Sequence, residues 1–477
     1  MFKTIFSGAL LNFWLFIVFA IGIVIGNFLP FFFLFFALFV LFLSLVYFFY
    51  KKNKFFLSDI SILLVFLSLG ALWQLPYSGQ KIEKFLKGEN RYILKVTSLP
   101  QNQVLRNAFF AELEKANNIP MKGRVKVIDY TKSMDYLKRY EVKAKLTKRQ
   151  YGKSAFYFLW VKSGFELKEL PINVLGKFTK QVTHTLLSIF KSNLDDTSYR
   201  FLASVFLGRR ELLTRTENEI FKNAGIAHLL AISGSNIGLA AVFLFFILRL
   251  FYVRFRVSLL ISLVFLFIYT FITGANPPTL RATIMYSVFA LSYFVKRKVN
   301  SFNSLGLAGL VCLFINPSWV FDVGFQLSFL SIFALIAGFS IFSIKASRIL
   351  IINSVQYLFF SSFYVTLLIT PLISYYFGRV YILSVFYNII LIPFFTFILM
   401  INFLLIIFSH LTFISQAIGT LLAALIPIFY NLSQVLGSFK FSFIMYTFSI
   451  RLVFIYYFLL GAVFIFIFWL SNKRKPV

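Results

Sequence analysis

After residue 219 the chain carries 16 Lys/Arg and a single acid, Asp322, and its other polar groups gather in clusters whose spacing limits their chemistry. The first cluster reads His228-Leu-Leu-Ala-Ile-Ser233-Gly234-Ser-Asn236-Ile-Gly238. An imidazole, hydroxyls and an amide at the start of an apolar run are costly in a bilayer unless they pair or face water. They therefore either brace neighbouring helices or line a wet route. Gly234-x-x-x-Gly238 lets a second backbone come close. The second cluster, Gly274-Ala-Asn276-Pro277-Pro278-Thr-Leu-Arg281, has tandem prolines that lack N–H donors and must interrupt the helix. Irregular backbone at membrane depth survives only against protein or a wet cavity. The third is Asn316-Pro-Ser-Trp-Val-Phe-Asp322-Val-Gly324-Phe-Gln326-Leu-Ser328. Asp322 either caps the helix that follows or forms an ion pair with Arg281, and both readings stand.

Hydrolytic and redox chemistry find little support. Three histidines, His184, His228 and His410, lie far apart, and the lone Cys312 sits in an apolar run. No metal cluster capable of generating a hydroxide is expected, no disulfide within the chain is possible, and no cofactor is implied. Gly152-Lys-Ser154 imitates the end of a phosphate-binding loop, but Thr147 stands where that loop needs its first glycine. One carboxylate is a poor basis for general acid–base catalysis. The chain reads as a non-enzyme.

These clusters must be positioned by membrane helices. The sequence is 60% apolar and 13% charged, against about 45–50% and about 25% in soluble chains. Its 68 phenylalanines read best as interchangeable lipid-facing filler. A span needs about 20 apolar residues, which places helices near 6–28, 31–50 and 56–75. Further helices fall near 228–250, 257–273, 279–295, 303–316, 325–343, 349–371, 382–409, 412–437 and 451–471. The segment 303–316 is short enough to be re-entrant. The first apolar stretch lacks a small-x-small cleavage site and reads as a helix that is retained. Lys51, Lys52 and Lys54, and later Arg254 and Arg256, Lys296–Lys298, Lys345 and Arg348, and Lys473–Lys475, mark cytoplasmic loops. Arg379 and Lys440 are exceptions, falling on the outer side.

Between the two helical groups, residues 77–197 hold 23 Lys/Arg against 11 Asp/Glu. A segment this long translocates whatever its charge. Tyr92, Leu94 and Val96, then Phe109, Ala111 and Leu113, then Val125 and Val127, then Val142, Ala144 and Leu146 each alternate with polar neighbours. Four or five short strands follow, forming a small barrel or sandwich. Lys122, Arg124, Lys126, Lys143, Lys145, Lys148, Arg149 and Tyr151 are candidates for holding a phosphate backbone with an aromatic stacking surface; a merely solvated basic face is the competing reading. Amphipathic helices over 177–224 are expected along the outer membrane face, with a capping box at Thr214-x-x-Glu217 and a stop at Gly225.

The three clusters, in this order, resemble the membrane domain of the ComEC competence-protein family. Thr370-Pro-Leu-Ile-Ser-Tyr-Tyr-Phe-Gly378 and Asn388-Ile-Ile-Leu-Ile-Pro393 are similar to that family too, and the resemblance covers nearly the whole chain. It implies N-terminal helices over 1–76, an extracytoplasmic OB-like β domain over 77–176, membrane-surface helices over 177–227 and a channel domain over 228–477. The fold class is thus a polytopic α-helical membrane protein of about 12 helices with an inserted OB-like barrel. The resemblance further implies a bacterial inner-membrane, multi-pass channel for single-stranded DNA in natural transformation. Its implied partners are the lipid bilayer, an extracytoplasmic DNA receptor, a separate nuclease and a cytoplasmic helicase-like motor. Asn236 stands where the family's motif usually has a second histidine, so no role carries over there. Many members continue into a metallo-β-lactamase-like domain; this sequence lacks its His-x-His-x-Asp-His run, and nuclease activity is not expected. A membrane enzyme acting on lipid-linked envelope polysaccharide and a small-solute exporter remain as alternatives.

Overall fold

The computed structural model describes residues 10–28, 55–78, 89–96, 101–102, 107–117, 119–131, 138–151, 154–161, 167–171 and, with short gaps, 174–473, besides isolated positions. The expected helix at 31–50 lies largely outside the described residues. Two helices open the chain, α1 (Leu11–Phe28) and α2 (Phe55–Ser78). They approach through glycines: side chains at Gly22 and Gly26 would collide with the α2 backbone at Leu67 and Ala71. With no hydrophobic drive between helices in lipid, such close packing is what holds them together.

The expected alternation is realised as strands β1 (Glu89–Val96), β2 (Gln101–Asn102), β3 (Asn107–Ala116), β4 (Ile119–Asp129), β5 (Arg139–Tyr151), β6 (Ser154–Val161) and β7 (Leu167–Leu170). The order β1-β3-β4-β6-β5 closes on itself through β1–β5. Every barrel pair is antiparallel except β4–β6. A five-stranded barrel closed with this order has OB topology. Tyr92, Leu94, Val96, Ala111, Leu113, Val127, Val142, Ala144, Leu146 and Leu159 fill the interior. The buried Asp129 carboxylate accepts from the Thr131 amide at 2.8 Å and the Met134 amide at 3.3 Å, holding the turn after β4.

Three helices connect barrel and bundle: α3 (Val174–Asn193), α4 (Asp196–Leu207) and α5 (Arg215–Asn223). The Thr214 capping box forms, and Gly225 leaves α5 with φ +74°. One expectation needs correcting. Instead of lying on a surface, α4 is buried along Phe201–Leu207, with Phe201 packed on Phe221, Phe395, Phe429 and Tyr430. Phe-Leu-Ala-Ser-Val-Phe-Leu is apolar almost all round, so it has no broad polar face to leave in water.

The bundle comprises α6 (Gly234–Leu250), α7 (Phe255–Ile272), α8 (Pro277–Val295), α9 (Ser301–Ile315), α10 (Val323–Ile341), α11 (Leu350–Phe377), α12 (Ser384–Ile407), α13 (Thr412–Ser438) and α14 (Ile450–Lys473). Five of the described helices, α7, α10, α11, α12 and α13, contain stretches long and apolar enough to cross a membrane. The short α9 docks on α1, where a side chain at Gly306 would strike the backbone of Asn12 and Phe13. The main core joins α3–α7, α12 and α13; a second joins α1 to α9 and α10.

Candidate functional site

Three helix N-termini meet where the sequence clusters lie. Ser233 caps α6, its hydroxyl accepting from the Asn236 amide N–H at 3.2 Å, while the buried Asn236 side chain donates to the Leu229 carbonyl at 3.4 Å. Positive φ at Gly274 (88°) and Ala275 (50°) turns the chain into α8, which opens with Asn276 as cap and Pro277 and Pro278 in its first turn. Asn276 makes no side-chain capping bond; its amide donates to the Thr273 carbonyl at 3.1 Å instead. A 3-10 turn, Pro317–Phe321, leads into α10, where Asp322 accepts from the Phe325 N–H at 2.8 Å. Gln326 donates to the Val320 carbonyl at 2.9 Å and accepts from Tyr376 at 3.1 Å, joining α10 to α11.

Arg281 lies between these ends. It is 5% exposed, donates from Nη1 to the Ser328 carbonyl and has its guanidinium 5.8 Å from the Phe329 ring centre. A Cβ at Gly234 would come within 2.5 Å of Arg281 Nη2 and 3.0 Å of the Pro278 carbonyl, so a side chain here would displace the guanidinium and press α6 from α8. The expected Arg281–Asp322 ion pair is not formed. Asp322 is committed to its cap at the exposed helix end, and Arg281 faces the carbonyl of Ser328, beyond the first turn of α10. The Gly234-x-x-x-Gly238 motif likewise divides. A Cβ at Gly238 would meet nothing within 4 Å, so the close approach ends at Gly234 and open space begins one turn on. Gly324 is exposed beside Asp322.

The loop before α6 is held by Arg210, which donates to the Leu230 carbonyl at 2.9 Å and the Ala227 carbonyl at 3.1 Å. His228 keeps accessible surface there. Desolvation by the surrounding protein nevertheless pushes its pKa below the ordinary value, against the Gly225 carbonyl and with the help of the Arg210 charge. Arg379, the outer-side exception, donates to Asn223 at 3.0 Å and Glu219 at 3.3 Å, tying α5 to the chain after α11. Its role as a strut was not legible from charge placement. Asn388, buried, donates to Ser362 at 2.7 Å, and Pro393 is exposed within α12; neither is hydrogen-bonded to the α6/α8/α10 junction.

On the barrel, Lys126 stands between aromatics, opposite Phe110 across β3–β4 and Phe158 across β4–β6, its amine 6.0 Å from the Phe110 ring centre. Lys145 lies opposite Trp160, which stacks on Tyr130 at 6.5 Å. Lys143 and Lys148 are also exposed, Lys143 being 3.9 Å from Glu89. The side chains of Lys122, Arg124, Arg149 and Tyr151 lie outside the described residues. The sequence reading missed Phe110, Phe158, Trp160 and Tyr130. Phe110 is the outward member of an alternating strand, and that periodicity would have found it; Phe158 and Trp160 lie on β6, whose run Phe-Tyr-Phe-Leu-Trp-Val has no polar alternation to read.

A helical membrane bundle joined to a small closed barrel is the class that this architecture defines. Within it, residues 205–471 match the model of the Competence protein family, and the chain belongs to that family. It is 35% identical over 214 residues to ComE operon protein 3 of Bacillus subtilis (strain 168), covering 44% of this chain and 26% of that protein. It is 31% identical over 156 residues to an uncharacterized protein of Aquifex aeolicus (strain VF5), covering 32% of this chain and 37% of that one. The chain thus spans well under two thirds of the curated relatives it matches. No solved structure matches it.

Proposed function

We propose that this protein is a multi-pass channel of the bacterial inner membrane that passes single-stranded DNA into the cytoplasm during natural transformation. Its family membership and its likeness to a ComE operon protein support a role in DNA uptake. One observation carries the step to a strand: Lys126, flanked by Phe110 and Phe158 on a closed OB-type barrel. Cations for phosphates beside flat rings for bases suit sequence-independent binding of an unpaired strand. In this reading about twelve helices cross the bilayer with the barrel outside. The chain does no bond-making chemistry of its own. A DNA receptor delivers duplex, a separate nuclease removes one strand and a cytoplasmic helicase-like motor pulls the other.

The test follows labelled duplex DNA into transformable cells with and without the gene. Label retained outside the inner membrane of the deletion strain, and restored to the cytoplasm by the intact gene, is expected. Unchanged cytoplasmic label in the deletion strain refutes the channel.

A further inference from the structure

Arg281 is a cation whose charge nothing among the described residues answers. It is 5% exposed, and among those residues its Nε has no hydrogen-bond partner and its guanidinium forms no ion pair. Asp322, the sole acid after residue 219, is occupied at the end of α10. A buried charge left uncompensated is strongly destabilising, so its retention here calls for a counter-charge. The setting makes the same demand. The ends of α6 and α8 meet at Gly234, Pro278 and Arg281, and neither helix has an acid in its first turn. The N-terminus of α6 carries partial positive charge and backbone N–H groups, which favour oxyanions; α8 opens with Pro277 and Pro278, which have no N–H, and its next two amides donate to the Asn276 carbonyl, so it adds its dipole alone. The α10 terminus already has Asp322; those of α6 and α8 have only neutral caps. Space is present too. Gly238 lies one helical turn beyond Gly234 and so on the same side of α6, and nothing fills the position of its missing side chain.

Resting on the channel reading above, we propose that Arg281 and the N-terminus of α6 form a transient site for a phosphodiester of the passing strand. Arg281 presents Nη2 beside Gly234, and exposed Ser235 in the first turn of α6 adds a hydroxyl. The passing phosphate is then the counter-ion that the bundle does not itself supply. The group carries no sequence information, so the site grips any strand equally. One site with one charge also releases readily as the next phosphate arrives.

The experiment uses the full chain in nanodiscs of zwitterionic lipid and a short abasic single-stranded oligonucleotide, a bare sugar-phosphate backbone. A methylphosphonate version without backbone charge serves as the control. Wild-type protein is expected to bind the charged backbone alone. Arg281→Gln is expected to weaken binding by about ten-fold. It should also flatten the slope of log K against log salt by about 0.7, the value for one lost phosphate contact on a single strand. A purely structural role for Arg281 leaves that slope unchanged. Arg281→Lys, which keeps the charge and loses the fork, is expected to retain the slope with weaker affinity. Should Arg281→Gln fail to fold, Ser235→Asp replaces it, since an acid at a helix N-terminus favours the helix while repelling phosphate. Wild-type affinity and slope in the folded variants overturn the site, and a lipid phosphate lodged there instead gives that same result. The channel reading is judged separately by the uptake of duplex in cells.

Discussion

Asp322 and Arg281 sit on neighbouring helices with opposite charges, and each is engaged elsewhere: the carboxylate at the Phe325 N–H, the guanidinium at the Ser328 carbonyl. Capping requires an acceptor at the helix end but no particular charge. Asp322→Asn is therefore expected to cost only a few tenths of a kcal/mol, and Asp322→Ala about 1 kcal/mol, measured by unfolding of the purified chain in detergent. The doubly reversed variant, Arg281→Glu with Asp322→Arg, should recover no function lost by the single changes, because there is no pair to restore. Spacing identified these residues and placed them on one side of the bundle. It could not reveal their partners, since partnership depends on how far each side chain lies from the helix end, and α8 carries Arg281 a turn inward of its proline cap.

At the scale of elements, α5 shows how a short polar helix is locked to an apolar bundle. Burial pushes the Glu217 carboxyl up, but hydrogen bonds from Arg200 and from Thr214 outweigh it, and its pKa falls below the usual carboxylate range. In Glu219 the hydrogen bond from Lys222, helped by Arg379, has the same effect. Both folded values lie below that of the unfolded chain, about 4.3. Their stabilisation is therefore complete above that value and is lost as pH falls through the depressed folded values. Glu217→Gln is expected to lower stability at pH 7 by about 2 kcal/mol and to reduce the acid sensitivity below pH ~4, as followed by thermal unfolding against pH. Much at this scale was legible in advance. Apolar length gave most ends of α6 to α14 to within about two residues but set the start of α6 and the end of α11 too early, period 2 gave the barrel's interior face, and Thr214-x-x-Glu217 gave a helix start. The depth of α4 was not legible as a surface element because amphipathicity does not say what faces the apolar side. For α4 the answer is Phe395, Phe429 and Tyr430 from helices two hundred residues onward.

For the molecule as a whole, positive charge and shape change together along the chain. A basic barrel with ring-flanked lysines is followed by a bundle whose later half has almost no acid, and α1 is clamped to α9 through Gly306 and to α2 through Gly22 and Gly26. The vacant ground beside Gly238 has a practical consequence. If strands travel there, residue 238 is a place to insert a cork of graded size. A Cβ there meets no atom within 4 Å, so Gly238→Ala should leave folding intact, and Ala, then Val, then Trp should throttle DNA arrival in the cytoplasm in proportion to side-chain bulk. Transformation frequency set against membrane protein level reads this directly. An unobstructed Trp variant would show that cargo follows some other course, and a graded decline would make this one glycine the bore gauge of the pore.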